Sequence, residues 1–550
     1  MKDFEQHTFF LTSHGCALAA TCVVPATVRG AVLMITPFAE ERKGTLPVFG
    51  ENARGLHKDG IASLRFDFAG CGDSEGDFGT TPPAHFDADC DAALAWLSSA
   101  FPAAPIAVLG ARTGALQAIR LAAKQPTVNA LILWSPVTGL DFVRQLLQRR
   151  MVNDMVAYGK AQESRASLDE RLRKGETIDL DGYAISGSFY AWAQTLVVQP
   201  ATVPTFLVAG GHDEKTMTTC AEQAQRSERA DLRFPPFWNT VGHVDLTQLI
   251  SQTRAWLVSR LSHAVSPIAL TDFPSDTAFA QFLSLGEVPN CLRVIADTPE
   301  GNPCAGVLFL HGWSGDRTGP HRLFVRFARR LAQDGFLCFR PDFYGRGLSD
   351  GEAADASIAR MTENAQSALD ALKQRLPPNT PLVVVAICSG CKVALSLAAK
   401  RQDISKLVLW SAESMGSLRS SATGLRKTLN ALSSYARKLL RPETWKKIIS
   451  GKVQTRLVTQ ALVKHETRTA EEARSEDAAL KLFRSFRNPI LFVFGGSDPD
   501  ATGSSRAYAA YCRANKIPFI AHTVAHAGHS YYGEEWTREL LNVSQRFLKP

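Results

Sequence analysis

The chain has 550 residues, a formal net charge of +8, and 45% hydrophobic and 21% charged residues. That composition is ordinary for globular protein, the charge is too modest for this length to imply nucleic acid, and the length exceeds one ordinary core, so two or more domains are expected. No apolar run reaches the roughly 18 residues of a membrane span, the polar start lacks a secretory pattern, and the 11 cysteines lack metal-site spacing, which together predict a cytoplasmic chain with free thiols and no metal or cofactor.

In chain order, short apolar runs near 31–36, 62–67, 105–110, 130–135 and 204–209 alternate with helix-prone stretches. This is the pattern of a mostly parallel sheet covered by helices. The third run ends in Leu109-Gly110-Ala111-Arg112-Thr113-Gly114-Ala115, a strand, tight turn and helix with Arg112 at the tip and Thr113 beside it. Arginine has no usable nucleophilic form at neutral pH. Asp213 and His243 follow downstream. A buried arginine needs a carboxylate, and Glu40, Glu41 and Asp213 are the candidates. Two readings stay open for this half: a degenerate structural copy, or a copy in which Arg112 forks a substrate carboxylate or phosphate.

Between about 262 and 282 the pattern breaks, and then it begins again. Gly306 repeats Ala31 at an offset of 275 (306 − 31), Asp342 repeats Asp67 at 275 (342 − 67), and Trp410 repeats Trp134 at 276 (410 − 134). An offset this constant indicates a tandem duplication. The expected domains are 1–264 and 280–550. In the second copy strands are expected near 306–311, 336–341, 382–387, 406–411 and 489–494, with a helical cap near 412–488.

The run Val383-Val384-Val385-Ala386-Ile387-Cys388-Ser389-Gly390-Cys391, followed by a helix-prone segment, has the layout of a nucleophile elbow with Cys388 at its tip. A helix N-terminus behind it favours a thiolate. His311-Gly312-Trp313, the stretch Asp342–Ser349, the elbow at 386–390, Gly496-Ser497-Asp498 and Gly528-His529 together resemble the α/β-hydrolase superfamily, in particular its serine-aminopeptidase-like branch. The resemblance spans nearly the whole chain as two copies and implies two tandem α/β-hydrolase folds. Hydrolases of this fold place nucleophile, acid and histidine in that order, which assigns Cys388 to attack an acyl carbon, Asp498 to orient and His529 to shuttle the proton. By motif position the oxyanion meets the backbone N–H groups of Trp313 and Ser389, and His311 and Gly312 line the substrate site.

Cysteine stands where most relatives carry serine. Thiolate attack on an oxygen ester makes a higher-energy thioester, whereas attack on a thioester is close to energy-neutral. That tilts the expectation towards acyl transfer or thioester cleavage, with carboxylesterase or lactone hydrolysis as the alternative, since dienelactone hydrolases use cysteine. A noncatalytic scaffold is the rival from another class. Cys388 and Cys391 also form a Cys-x-x-Cys pair, but Cys391 corresponds to Ala115 in the first copy, so packing is its simpler role. From 412 to 456 the cap carries ten basic residues against Glu413 and Glu443. That is either a solvated face or a rim for an anionic partner such as coenzyme A, an acyl carrier protein or a phospholipid surface. Pro37-Phe38-Ala39-Glu40-Glu41 with the Gly-x-Arg-x-Gly elbow further resembles the second of the paired hydrolases associated with exosortase A systems, whose first member carries cysteine at the elbow. The chain thus resembles a fusion of the two.

Overall fold

A computed structural model describes residues 5–240, 244–261, 265, 267–269, 273–352, 356–419 and 470–549. The first half contains β1 (Glu5–Ser13), β2 (Cys16–Val24), β3 (Gly30–Ile35), β4 (Ile61–Phe66), β5 (Ile106–Ala111), β6 (Val128–Trp134), a hairpin of β7 (Ile178–Leu180) and β8 (Tyr183–Ile185), β9 (Thr205–Ala209) and β10 (Ser227–Asp231). All but the hairpin form one sheet in the order β1-β2-β4-β3-β5-β6-β9-β10. The second half repeats it with β11 (Ala280–Leu285), β12 (Leu292–Asp297), β13 (Ala305–Leu310), β14 (Phe336–Pro341), β15 (Leu382–Ile387), β16 (Ile404–Trp410), β17 (Ile490–Gly495) and β18 (Phe519–Val524). Their order is β11-β12-β14-β13-β15-β16-β17-β18. Both sheets are parallel except at the β1–β2–β4 and β11–β12–β14 edges.

The central strands are apolar along their whole length because helices cover both faces. In β15, Leu382, Val384 and Ala386 enter the core on one face, and Val383, Val385 and Ile387 enter the core on the other. That is the period-two alternation of an extended chain. The ten predicted strands lie within two residues of observed ones, and the two tandem α/β folds are as expected. The N-terminal hairpins carry little strand signal, because β2 reads Cys-Ala-Leu-Ala-Ala-Thr-Cys-Val-Val, rich in alanine of weak strand preference. β10 is Ser-Glu-Arg-Ala-Asp at a largely exposed edge, with no apolar period to reveal it.

A cap was expected only in the second half. The first half also carries an insertion, in which the helices Gly139–Tyr158, Arg165–Arg173 and Gly187–Thr195 and the β7–β8 hairpin lie between β6 and β9. The basic stretch 420–456, most of the second cap and His243 fall outside the described residues. Among the described residues no helix is long and apolar enough to cross a membrane.

The halves join through their edge hairpins. Phe10 stacks on Phe282 at 4.6 Å between ring centroids, with Ala19, Ala280 and Ile295 buried around them. Beside this apolar patch lies a polar seam. Arg322 donates to the carbonyls of Gly72 and Ser74 at 2.9 Å each, and Asp73 accepts from Arg317 at 2.8 Å and from Arg340 at 2.6 Å. Burial alone would raise the Asp73 carboxyl, but Arg317 and Arg340 hold it far below the usual carboxylate range.

Candidate active site

β15 ends in a turn that carries Cys388 at φ 58°, in the left-handed region that non-glycine residues rarely occupy. The turn is held by the Cys388 amide, which donates to Trp410 O at 3.0 Å. It needs glycine two residues later: a Cβ on Gly390 would come within 2.3 Å of Leu310 O. The helix Gly390–Ala398 starts there, so the half-buried sulfur projects at a helix N-terminus.

The sequence-predicted acid and base meet at this sulfur. His529 Nδ1 lies 2.8 Å from Asp498 Oδ2, and the Cys388, His529 and Glu413 side-chain ligand atoms all lie within 4.8 Å of one another. The loops bearing acid and base abut so closely that a side chain at Gly495 would come within 2.5 Å of Ala527 O. Burial alone would lower the His529 pKa, but hydrogen bonds to Asp498 and then to Cys388 raise it to about 10. The imidazole is therefore protonated at neutral pH, an imidazolium shared between carboxylate and sulfur.

In the sequence Glu413 is one of two acids in a basic stretch. The structure brings it to the site, where Cys388 Sγ donates to its Oε1 at 3.1 Å. Its other oxygen pairs at 3.0 Å with Lys392, a buried lysine one turn into the elbow helix that also lies 3.7 Å from Glu476. Burial would raise the Glu413 pKa, but Lys392 outweighs it and holds the carboxyl below its ordinary value. Tyr508 fixes the backbone by donating to Glu413 O at 2.7 Å. The only sequence signal was position: Glu413 lies two residues after the strained Ser411 at the end of β16.

The expected oxyanion donors are close together but not both open. Trp313 N–H donates to Ser389 Oγ at 2.7 Å, so that amide is already engaged. Arg346 braces the same loop by donating to Trp313 O at 2.6 Å, with its guanidinium 5.2 Å from the Trp313 ring centroid. Gly312 lies flush against the nucleophile, since a Cβ there would meet Cys388 Sγ at 3.3 Å. His311, expected to line the substrate site, is instead buried. Its Nδ1 lies 2.8 Å from Gly312 O and its Nε2 accepts from Phe343 N at 3.2 Å. Burial pushes its pKa down to about 4, so it is a neutral brace for the loop.

Cys391 is fully buried and donates to Trp410 O at 3.4 Å, and both cysteines of the pair are free thiols. Burial raises the Cys391 pKa far above that of a free thiol, which matches a packing role.

The first-half elbow repeats the geometry with different chemistry. Arg112 stands at φ 56° and donates its amide to Trp134 O at 2.9 Å. Its guanidinium pairs with Glu41 at 3.2 Å and with Asp213, and it donates to Gln145 Oε1 at 2.7 Å and Ser135 O at 3.3 Å. The face of Trp238 lies 4.2 Å away. Arg112 is 1% exposed and these internal acceptors occupy its fork, so the substrate-binding assignment is corrected: its ligands are the protein's own carboxylates. Glu40, a candidate partner, turns outward to the other half instead. Thr113 beside the tip is buried as well.

That outward contact leads to the second-half site. Glu40 accepts from Tyr532 OH at 2.9 Å and from His321 N at 3.1 Å, and His321 Nε2 lies 3.0 Å from Ser530 O. Asp179 of the first-half cap accepts from Glu534 N at 2.6 Å, and Tyr158 packs on His526 with ring centroids 4.8 Å apart. Ser497 donates to Ala157 O at 3.4 Å. The first half thus grips residues adjoining both Asp498 and His529.

Comparison with known proteins agrees with this architecture. Residues 307–543 match the family described as "Alpha/beta hydrolase family" and residues 29–231 match "Serine aminopeptidase, S33". The chain is a tandem α/β-hydrolase protein. Similar solved structures include Est1E from Butyrivibrio proteoclasticus with ferulic acid bound, 16% identical over 48% of this chain and 98% of that one, TM-score 0.33. A dienelactone hydrolase from Anabaena variabilis is 14% identical over 48% of this chain and 94% of its own, TM-score 0.32. Alpha/beta hydrolase domain-containing protein 10 from mouse is 16% identical over 49% and 98%, TM-score 0.34. No curated protein matches.

Proposed function

We propose that this hydrolase-family protein is a Cys-His-Asp enzyme of acyl-transfer or thioesterase type, which forms an acyl-Cys388 intermediate from an acyl thioester. The observation that carries the reading is the 2.8 Å contact between His529 and Asp498 beside a cysteine on a strained elbow. Cys388 attacks the thioester carbonyl as thiolate. The tetrahedral intermediate collapses with loss of the donor thiol, which takes its proton from the His529 imidazolium. Neutral His529 then removes a proton from the acceptor, which opens the acyl-Cys, expels Cys388 as thiolate and restores the imidazolium. Asp498 holds the ring tautomer throughout. The cysteine supports a thioester donor, carried on coenzyme A or an acyl carrier protein, because sulfur-to-sulfur exchange is nearly neutral in energy. A carboxylesterase or lactone hydrolase uses the same groups. Matched thioester and oxygen-ester substrates distinguish the two readings by their kcat/KM.

Incubation with a panel of acyl thioesters followed by intact-protein mass spectrometry tests the proposal. One acyl mass is expected on the parent and none on Cys388→Ala. Full turnover by Cys388→Ala of every substrate the parent accepts would defeat it and leave the scaffold reading.

A further inference from the structure

Cys388, Glu413 and His529 converge more closely than acyl transfer requires, because the carboxylate has no part in that reaction. Cys388 Sγ donates to Glu413 Oε1 at 3.1 Å, His529 hydrogen-bonds to Cys388, and one ligand atom from each of the three lies within 4.8 Å of the other two. Among the described residues no other group of three histidine, cysteine and carboxylate ligands comes together in this way. The three stand 25 (413 − 388) and 116 (529 − 413) residues apart, so no metal-site spacing in the sequence reveals them.

Atoms bound to one tetrahedral zinc lie roughly 3.3–3.8 Å apart, given bonds of about 2.0–2.3 Å. Two edges of the triangle are already hydrogen-bond contacts, and small side-chain rotations close the third. Solvent reaches the group, since the His529 and Glu413 side chains are 35% and 36% exposed.

The groups behind the ligands fit as well. A histidine that binds zinc through one nitrogen usually gives its other N–H to a carboxylate. Asp498 Oδ2 stands 2.8 Å from Nδ1 and leaves Nε2 for the metal. Lys392 holds Glu413 Oε2 at 3.0 Å, which leaves Oε1, the oxygen at the sulfur, to ligate. Thiolate and carboxylate together neutralise a divalent charge, and a sulfur ligand selects zinc over magnesium or calcium. Three protein ligands leave the fourth position to water.

We propose that Cys388, His529 and Glu413 bind one zinc ion, which reversibly blocks the nucleophile. Zn–Sγ, Zn–Nε2 and Zn–Oε1 bonds form, and the thiol proton and the imidazolium Nε2 proton leave to solvent. The sulfur electron pair is then held by the metal, so Cys388 attacks no acyl carbon until a chelator removes the ion. The block rests on Cys388 being the nucleophile. Iodoacetamide reads that nucleophile without an acyl substrate, so the zinc site and the acyl-transfer reading can fail separately.

The test uses the full-length protein, stripped of metal with EDTA and titrated with zinc chloride. Saturating zinc is expected to slow iodoacetamide alkylation of Cys388, followed by peptide mass spectrometry, at least roughly tenfold. Excess EDTA is expected to restore the rate, and magnesium to leave it unchanged. Cobalt in place of zinc is expected to give a thiolate-to-metal charge-transfer band that Cys388→Ala lacks, although ten other cysteines (11 − 1) remain. Zinc affinity, measured by competition with a colorimetric chelator, is expected to fall in Glu413→Ala by at least the roughly 10- to 100-fold that loss of a group behind a ligand costs. Unchanged alkylation under saturating zinc, a cobalt band that survives in Cys388→Ala, or equal zinc affinity in the parent and Glu413→Ala overturns the proposal.

Discussion

Cys388 Sγ donates to Glu413 Oε1 at 3.1 Å, which sets a carboxylate against the atom proposed to carry negative charge. Coulomb repulsion at that range is substantial even at a protein-like effective dielectric. Glu413→Gln removes the charge and can offer the sulfur a donor, while Lys392 keeps Glu476 at 3.7 Å. Alkylation of Cys388 by iodoacetamide at pH 7 is expected to speed up roughly tenfold, equivalent to about 1.4 kcal/mol. An unchanged or slower rate would assign Glu413 to packing alone.

The Asp498–His529 pair gives a pH dependence with a definite sign. The folded imidazole holds its proton up to about pH 10, whereas an unfolded histidine loses it near 6.5. Between those values the folded state binds more protons, so this contribution to stability is complete below about pH 6.5. It declines as pH rises and is lost above about 10. Asp498→Asn is expected to flatten the fall of Tm between pH 7 and 10. It should also cut turnover by roughly 10²–10⁴, because the ring loses the partner that fixes its tautomer. A parallel fall of Tm with pH in both proteins would show that His529 is not the titrating group.

Much of this was legible because a parallel sheet writes itself plainly: β15 is a continuous apolar run, and the turn after it needs glycine at a fixed distance. Duplication helped further, since each motif could be read twice. What the sequence hid depends on long-range placement. Glu413 looked like a stray acid until the end of β16 brought it to Cys388. Arg112 at the elbow fitted either a substrate fork or a buried ion pair, and only the positions of Glu41, Asp213 and Gln145 decide for the latter. Likewise His311 sits in a motif at the oxyanion loop, yet its ring turns inward to Phe343 N.

Asp73 is the hinge-pin of the half-to-half seam, buried and bound to both Arg317 and Arg340. Removing one member of a buried ionic cluster strands the others, at roughly 3–5 kcal/mol. Asp73→Ala is expected to lower the calorimetric transition and split it into two as the halves uncouple. Activity should fall with it, because the first half also grips Ser497, Tyr532 and Glu534 beside the acid and base loops. A single transition at the parent temperature would mean that the remaining contacts between the halves couple them without Asp73.

Ser389 Oγ accepts from the Trp313 amide at 2.7 Å, and the proposed oxyanion needs that same donor. The hydroxyl must therefore leave before the second donor can act, and the net value of such a bond is about 0.5–1.5 kcal/mol. Ser389→Ala removes the competitor without touching the backbone N–H of residue 389. The expected result is a rise in kcat of roughly two- to tenfold at unchanged KM, with the adduct on Cys388 forming faster in a single turnover. A fall in kcat would reverse the assignment: the Ser389 hydroxyl would then hold the Trp313 loop in its working shape, and the bond would be a support of the oxyanion site.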